Sequence, residues 1–151
     1  MFTTVRYFVK TSITFLALGI LTGLYMSISK NIFEIGYGSE MLSAHTHVIL
    51  VGSVMMMIMG VALWFFPRAE KTDKKYNPDL ILVVYWLMTI STALRFFSQV
   101  ALSFYFERWL SIVITITSFL QVAAMLIFFY SIWGRIRPVG SQQREAKGEK
   151  F

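Results

Sequence analysis

Four stretches of this chain are apolar for far longer than a soluble fold would need. They run from about Thr11 to Ser29, Leu42 to Phe66, Asp79 to Leu102 and Arg108 to Trp133. Roughly 20 apolar residues in helical form cross the hydrocarbon core of a bilayer, so the pattern predicts four transmembrane helices. The polar breaks between them are short, and short loops favour antiparallel neighbours. The expected fold is therefore an all-α membrane protein, a four-transmembrane-helix up-down bundle. It occupies residues 1–134, and residues 135–151 form a basic, mobile tail. The first apolar run is long and has no small-residue cleavage site, so no cleavable signal peptide is expected. No internal repeat is visible.

The breaks differ in charge. The segment between spans two and three, "RAEKTDKKYNPD", is basic, as is the C-terminal "GRIRPVGSQQREAKGEKF"; Arg6 and Lys10 precede span one. The other two breaks are not basic: "KNIFEIGYGSEM" has one lysine against two glutamates, and "YFER" has one charge of each sign. Lysine and arginine collect on the cytoplasmic side, so both termini and the middle loop are expected there, in a bacterial-type inner membrane. Aromatic residues fall where belts are expected: Trp64, Phe65 and Phe66 inside, Tyr105, Phe106 and Trp109 outside, and Tyr130 and Trp133 at the inner end of span four.

Composition fits this picture. Of the 151 residues 56% are hydrophobic, and mean hydropathy is +0.62. The net charge of +6 is explained by loop topology, so no nucleic-acid partner is expected. Cysteine is absent, which excludes disulfides, cysteine-ligated iron–sulfur clusters and thioether-linked haem. In span one, Gly19 and Gly23 in "GILTG" stand four apart. Small residues at that spacing let helix backbones approach, either within the bundle or at a dimer seam.

Ionisable groups inside a bilayer are costly and need partners or a cavity. Three stand out: His45, His47 and Arg95, with Gln99 one turn beyond Arg95. Span two enters from the outer face and span three runs toward it, so these side chains are expected at similar depth. Neutral imidazole is a common metal ligand and the usual protein ligand of haem b iron. Arginine offers a planar fork to a carboxylate such as a haem propionate. Gly52 lies seven residues after His45 and Gly60 eight further on, with Met56, Met59 and Leu63 on the same side. That face is expected to suit a flat cofactor standing perpendicular to the membrane.

A geometric limit applies. Residues i and i+2 of a helix point about 200° apart, so His45 and His47 cannot serve two faces of one haem, nor easily chelate one ion. A six-coordinate iron would need a ligand from a second chain or an axial methionine; otherwise it is five-coordinate and open to a gas. Plainer readings stand beside this one. The histidines are then snorkelling polar residues, Arg95 pairs with Glu107, Glu40 or lipid phosphate, and "MMMIM" is ordinary apolar packing. Copper is an alternative cofactor because thioethers and imidazoles suit Cu(I), although the run spreads its sulfurs around the helix.

The stretch from Ser43 to Arg68 also resembles the second transmembrane helix of subunit I in the haem–copper oxidase and bacterial nitric oxide reductase superfamily. It is more similar still to the small subunit-I-like membrane proteins. The pattern is a His-x-His or His-Thr pair, glycines seven and fifteen residues after the first histidine, and an aromatic-Pro end. Here these are His45 and His47, Gly52, Gly60, and Phe66-Pro67. The resemblance implies that His45 is an axial ligand of a low-spin haem whose propionates face outward. Outside this stretch the chain matches only as hydrophobic spans in the right order. The large enzymes have many more spans, and their other metal ligands lie on helices this chain lacks, so oxygen or nitric oxide reduction is not implied. A bis-histidine site would need a second protomer, with its His47 or the symmetry-related His45 as ligand, in a two-fold dimer.

The expectation is a b-type cytochrome-like haem-binding membrane protein for electron transfer or gas (O2 or NO) binding, forming a homodimer and working with a respiratory-chain partner. No general base, nucleophile or substrate pocket can be named, so no independent catalysis is expected. The alternatives are a cofactor-free accessory or structural subunit of a membrane respiratory complex, with the same residues as interhelical hydrogen-bonding glue, and a copper-binding membrane protein.

Overall fold

The computed structural model describes residues 2–66, 77–136 and 147–148. Its elements are helices α1 (Phe2–Asn31), α2 (Ser39–His47), a π-helical stretch (Val48–Met55), α3 (Met56–Phe65), α4 (Pro78–Leu102) and α5 (Arg108–Ile132), closed by a 3-10 turn (Trp133–Arg135). No strand occurs among the described residues. α2, the π stretch and α3 form one continuous span, so among the described residues four helices are long and apolar enough to cross a membrane. It is an all-α four-helix transmembrane bundle.

The predicted boundaries shift most at the first span. α1 starts at Phe2, nine residues before Thr11, and takes in Arg6 and Lys10. Both residues form helix well, and side chains of this length can lay an apolar stem along the helix while the charge reaches for water. α4 begins where sequence chemistry dictates: the Asn77 side chain accepts from the Asp79 amide at 2.9 Å, and Pro78 occupies the first turn, where its missing N–H is not needed. Between α1 and α2 the chain turns through Glu34 and Gly36, both at positive φ, and the Ser29 hydroxyl donates to the Gly36 carbonyl at 2.6 Å.

The end carrying residues 32–38 and 103–107 is termed the loop end, and the opposite one the termini end. α4 and α5 form an antiparallel pair, α1 packs along the second span, and α2 packs on α4. At the termini end an aromatic cluster ties three spans together. The Phe8 ring lies 5.3 Å from Tyr85 edge-to-face and 6.3 Å from Phe128. The Tyr85 hydroxyl shares a 2.9 Å hydrogen bond with Thr11 Oγ1. Outward faces carry Ile20, Leu24, Val83, Ile90, Phe97, Phe119 and Leu126, all exposed, as a lipid-facing surface requires.

Arg135, which the sequence reading assigned to the basic tail, instead belongs to the bundle. It is 3% exposed, and its Nη2 donates to the carbonyls of Leu63 at 3.4 Å and Phe66 at 3.2 Å. These belong to the last turn of α3 and its cap, where carbonyls lack intrahelical partners and the helix dipole favours a cation. Replacing it with methionine is expected to cost about 1–3 kcal/mol, the cost of leaving such acceptors unserved. A lowered unfolding temperature in detergent checks this; an unchanged one means the carbonyls find other donors. Pro67, the middle loop and nearly all of the tail lie outside the described residues.

The π stretch replaces α-helix immediately after the histidines. It contains the buried pair Gly52 and Ser53, and Gly/Ser pairs and widened turns are recognised sites of departure from α geometry. The face below it is consequently not the straight continuation of the face above.

Candidate functional site

His45 and His47 leave the last turn of α2 on opposite sides, as their two-residue spacing requires. His45 faces α1. Its Nδ1 lies 2.9 Å from the Gly19 carbonyl oxygen, and a carbonyl only accepts, so Nδ1 carries the proton. The ring rests against Gly23, where an added Cβ would come within 2.8 Å of His45 Cε1. Gly19 likewise has no room for a Cβ, because Ile49 fills that space. The "GILTG" glycines are thus a notch inside the bundle that receives His45 and Ile49. His45 is half-buried, and among the described residues no protein group claims its Nε2.

His47 faces α4 and α5. Its Nδ1 lies 2.9 Å from the Ser43 carbonyl oxygen, so this nitrogen also carries the proton, and Nε2 accepts from Arg95 Nη2 at 2.8 Å. Arg95 Nη1 donates to Gln121 Oε1 at 3.0 Å. Gln121 Nε2 donates to Thr92 Oγ1 at 2.9 Å. Gln99 Nε2 donates to Ser43 Oγ at 2.8 Å. Five polar side chains from α2, α4 and α5 therefore join His47 in one cluster. The two imidazoles point to opposite sides and have different fates: His47 Nε2 is engaged by Arg95, and His45 Nε2 has no protein partner among the described residues.

The cluster lies well inside the bundle. Gln121 is the fourteenth of the 25 residues of α5, roughly 20 Å from the first at 1.5 Å per residue. Side chains lean toward the N-terminus of their own helix, and for α4 that direction is away from the loop end. The Arg95 guanidinium accordingly sits near mid-span, beside Gln121. The structure brings His47, Arg95 and Gln99 together and leaves His45 apart, on the other side of α2.

The glycine face is packed by protein. An added Cβ at Gly52 would lie 2.9 Å from Thr92 Cγ2 and 3.0 Å from Phe15 Cγ; at Gly60 it would lie 2.9 Å from Phe8 Cβ. Met56 and Met59 are fully buried in the same core as Phe8, Phe15 and Leu63. The residues present therefore fit a haem in one respect only. His45 offers a single axial nitrogen with its other ring N–H tied to a carbonyl, the pattern that orients metal-ligating histidines. They do not hold a slot along Gly52 and Gly60, and Arg95 is on the wrong side of α2 to meet a propionate there. Among the described residues no group of three or more His, Asp or Glu is placed to hold a metal ion, and the two imidazoles face different helices, so no copper site uses both.

Sequence reasoning passed over Ser43, Thr92 and Gln121. Gln121 carried a signal, as the one amide in the apolar fourth span. Ser43 stands one turn before His47, which the i, i+4 rule would have paired with it. Compared with family models, curated proteins and solved structures, the chain matches none of them.

Proposed function

We propose that this chain is a b-type haem-binding protein of a bacterial-type inner membrane, supplying one axial imidazole, His45, per molecule, with its loop end outward. The observation carrying this reading is the 2.9 Å contact between His45 Nδ1 and the Gly19 carbonyl. It fixes the tautomer that leaves Nε2 with its lone pair, and it holds the ring against a glycine notch. Because the Gly52–Gly60 face is filled, the site lies at the outside of the groove between α1 and the second span, flanked by exposed Ile20, Leu24, Leu42 and Leu50. A second copy of the chain placed on that groove covers the apolar surface and, by two-fold symmetry, presents a second His45. Haem bound there would supply one-electron transfer or gas binding. The contribution of this chain is to hold a neutral imidazole in one orientation and to exclude water with aliphatic side chains.

The test is the visible spectrum of protein purified from haem-replete cells, oxidised and dithionite-reduced. Soret and α bands are expected. Carbon monoxide shifts them if iron is five-coordinate and leaves them if a second His45 occupies the sixth position. Colourless protein overturns the reading in favour of an accessory subunit. A specific observation favours that second reading: both imidazoles already make interhelical hydrogen bonds, His45 to α1 and His47 to α4, as polar packing groups do in membranes. Copper found in the metal analysis would instead support the metal-handling alternative.

A further inference from the structure

Arg6 and Lys10 carry charge at the termini end with no counterion from the bundle. They stand one turn apart on α1, within about 40° of each other around the helix, and both are exposed. Among the described residues neither makes an ion pair or a side-chain hydrogen bond. Asp79, the one described acid at the termini end, belongs to α4. The first turn of α1 holds no acidic residue either, so the positive end of that helix is uncompensated. Side chains lean toward the N-terminus of their own helix, which brings the Lys10 ammonium toward the level of Arg6.

Two apolar grooves open beside these charges. The first, about 320 Å³, runs between α1 and α3 and is lined by Val5, Arg6, Val9, Val61 and Trp64. The second, about 380 Å³, lies along α3 and is lined by Met57, Ile58, Val61, Ala62, Phe65 and Phe66. Val61 belongs to both and is exposed, so it forms the ridge between them. Val9 is level with Gly60, where an added Cβ would lie 3.2 Å from Val9 Cγ2. Arg6 and Trp64, each about one turn nearer the termini end, therefore stand on facing rims of the first groove. From Phe66 to Met57 the second groove runs about 13 Å at 1.5 Å per residue. That is close to the half-thickness of a bilayer core, about 15 Å.

Cations at one end of paired apolar grooves fit an amphiphile with an anionic head and two hydrocarbon tails. We propose that the termini end of α1 and α3 binds one anionic phospholipid, its phosphate held by Arg6 and Lys10 and its two acyl chains laid on either side of Val61. The arginine fork takes two phosphate oxygens. Trp64, exposed at the rim, adds an amphipathic ring of the kind that settles at headgroup level. A zwitterionic lipid brings its own cation to the site, and a soluble anion fills neither groove. Basic groups between transmembrane helices are a general device for holding anionic headgroups. Val9 lies eleven residues, roughly 16 Å, from Ile20. The site thus occupies the other half of the molecule from His45 and is independent of the haem reading.

Native mass spectrometry of the full chain released from detergent micelles tests this. Phosphatidylglycerol and phosphatidylcholine with identical acyl chains are added in equal amounts. The unmodified protein is expected to retain one phosphatidylglycerol, about tenfold or more in excess of phosphatidylcholine, since each of two basic side chains contributes roughly fivefold at an anionic surface. Equal retention of the two lipids overturns the proposal, and this comparison needs no variant to fold. Arg6→Gln should retain phosphatidylglycerol about fivefold less. Val61→Trp, which builds on an exposed position and fills both grooves, should lose the lipid with Arg6 and Lys10 intact. Unchanged retention in either folded variant overturns the site. Inorganic phosphate should leave the bound lipid in place; if it displaces the lipid, the grooves contribute nothing and the site is one for a free anion.

Discussion

On the proposed haem-binding role, His45→Ala is expected to abolish the haem bands of the purified protein, whereas His47→Ala is expected to leave them in place. The asymmetry follows from the lone pairs. Among the described residues His45 Nε2 has no protein partner, and its ring is oriented by Gly19; His47 Nε2 is bonded to Arg95. Removing the sole axial ligand of a chain should weaken haem binding by on the order of a hundredfold, near 3 kcal/mol. Removing His47 takes away the acceptor for Arg95 and should lower stability instead, by about 1–3 kcal/mol. Absorbance per mole of protein, read beside thermal unfolding for each variant, separates the two roles. Equal loss of colour in both variants would mean that the imidazoles act together, against their placement on opposite sides of α2. Retained colour in folded His45→Ala would remove His45 as the ligand.

Gly52→Ala and Gly60→Ala are expected to give the opposite signature, stability lost and any haem spectrum kept. An added methyl meets Phe15 Cβ at 3.1 Å at one site and Phe8 Cβ at 2.9 Å at the other. Both obstacles are atoms next to the main chain of α1, which cannot swing away as a side-chain tip would. The helices must separate slightly, and overpacking of this kind costs about 1–3 kcal/mol. Unfolding in detergent measures the loss. If these variants unfold as the unmodified protein does but change the haem bands, the glycines line the cofactor after all, and the packing against α1 gives way when haem binds.

These contrasts mark what the sequence could and could not reveal. Span number and order were legible because bilayer thickness imposes one length on every helix. The start of α4 was legible in Asn77-Pro78. The opposed directions of His45 and His47 followed from helix geometry alone. The partners of each did not, because they depend on which helices are neighbours. Gly19 and Gly23 were read equally as dimer seam or internal packing, and only the position of α1 beside α2 decides between them. Gly52 was placed beneath His45 by assuming unbroken α-helix, which the π stretch interrupts. Arg95 was expected at the depth of the histidines, and its long side chain, leaning toward the start of α4, carries the charge to mid-span. Arg135 looked like one more basic tail residue because nothing local distinguishes a cation that folds back onto carbonyls from one left in water.

The π stretch makes the second span behave as two screws cut from one rod. Its loop-end part fixes where the imidazoles point; its termini-end part fixes which groove Met56, Met59 and Gly60 fill. A single-residue deletion within Val48–Met55 would return the rod to one thread and turn one part against the other by about 100°. Either the histidines leave Gly19 and Arg95, or the lower half leaves Phe8 and Phe15. The span therefore tolerates changes of residue more readily than changes of length, and its eight-residue middle is the gearing that lets two different neighbourhoods be satisfied at once.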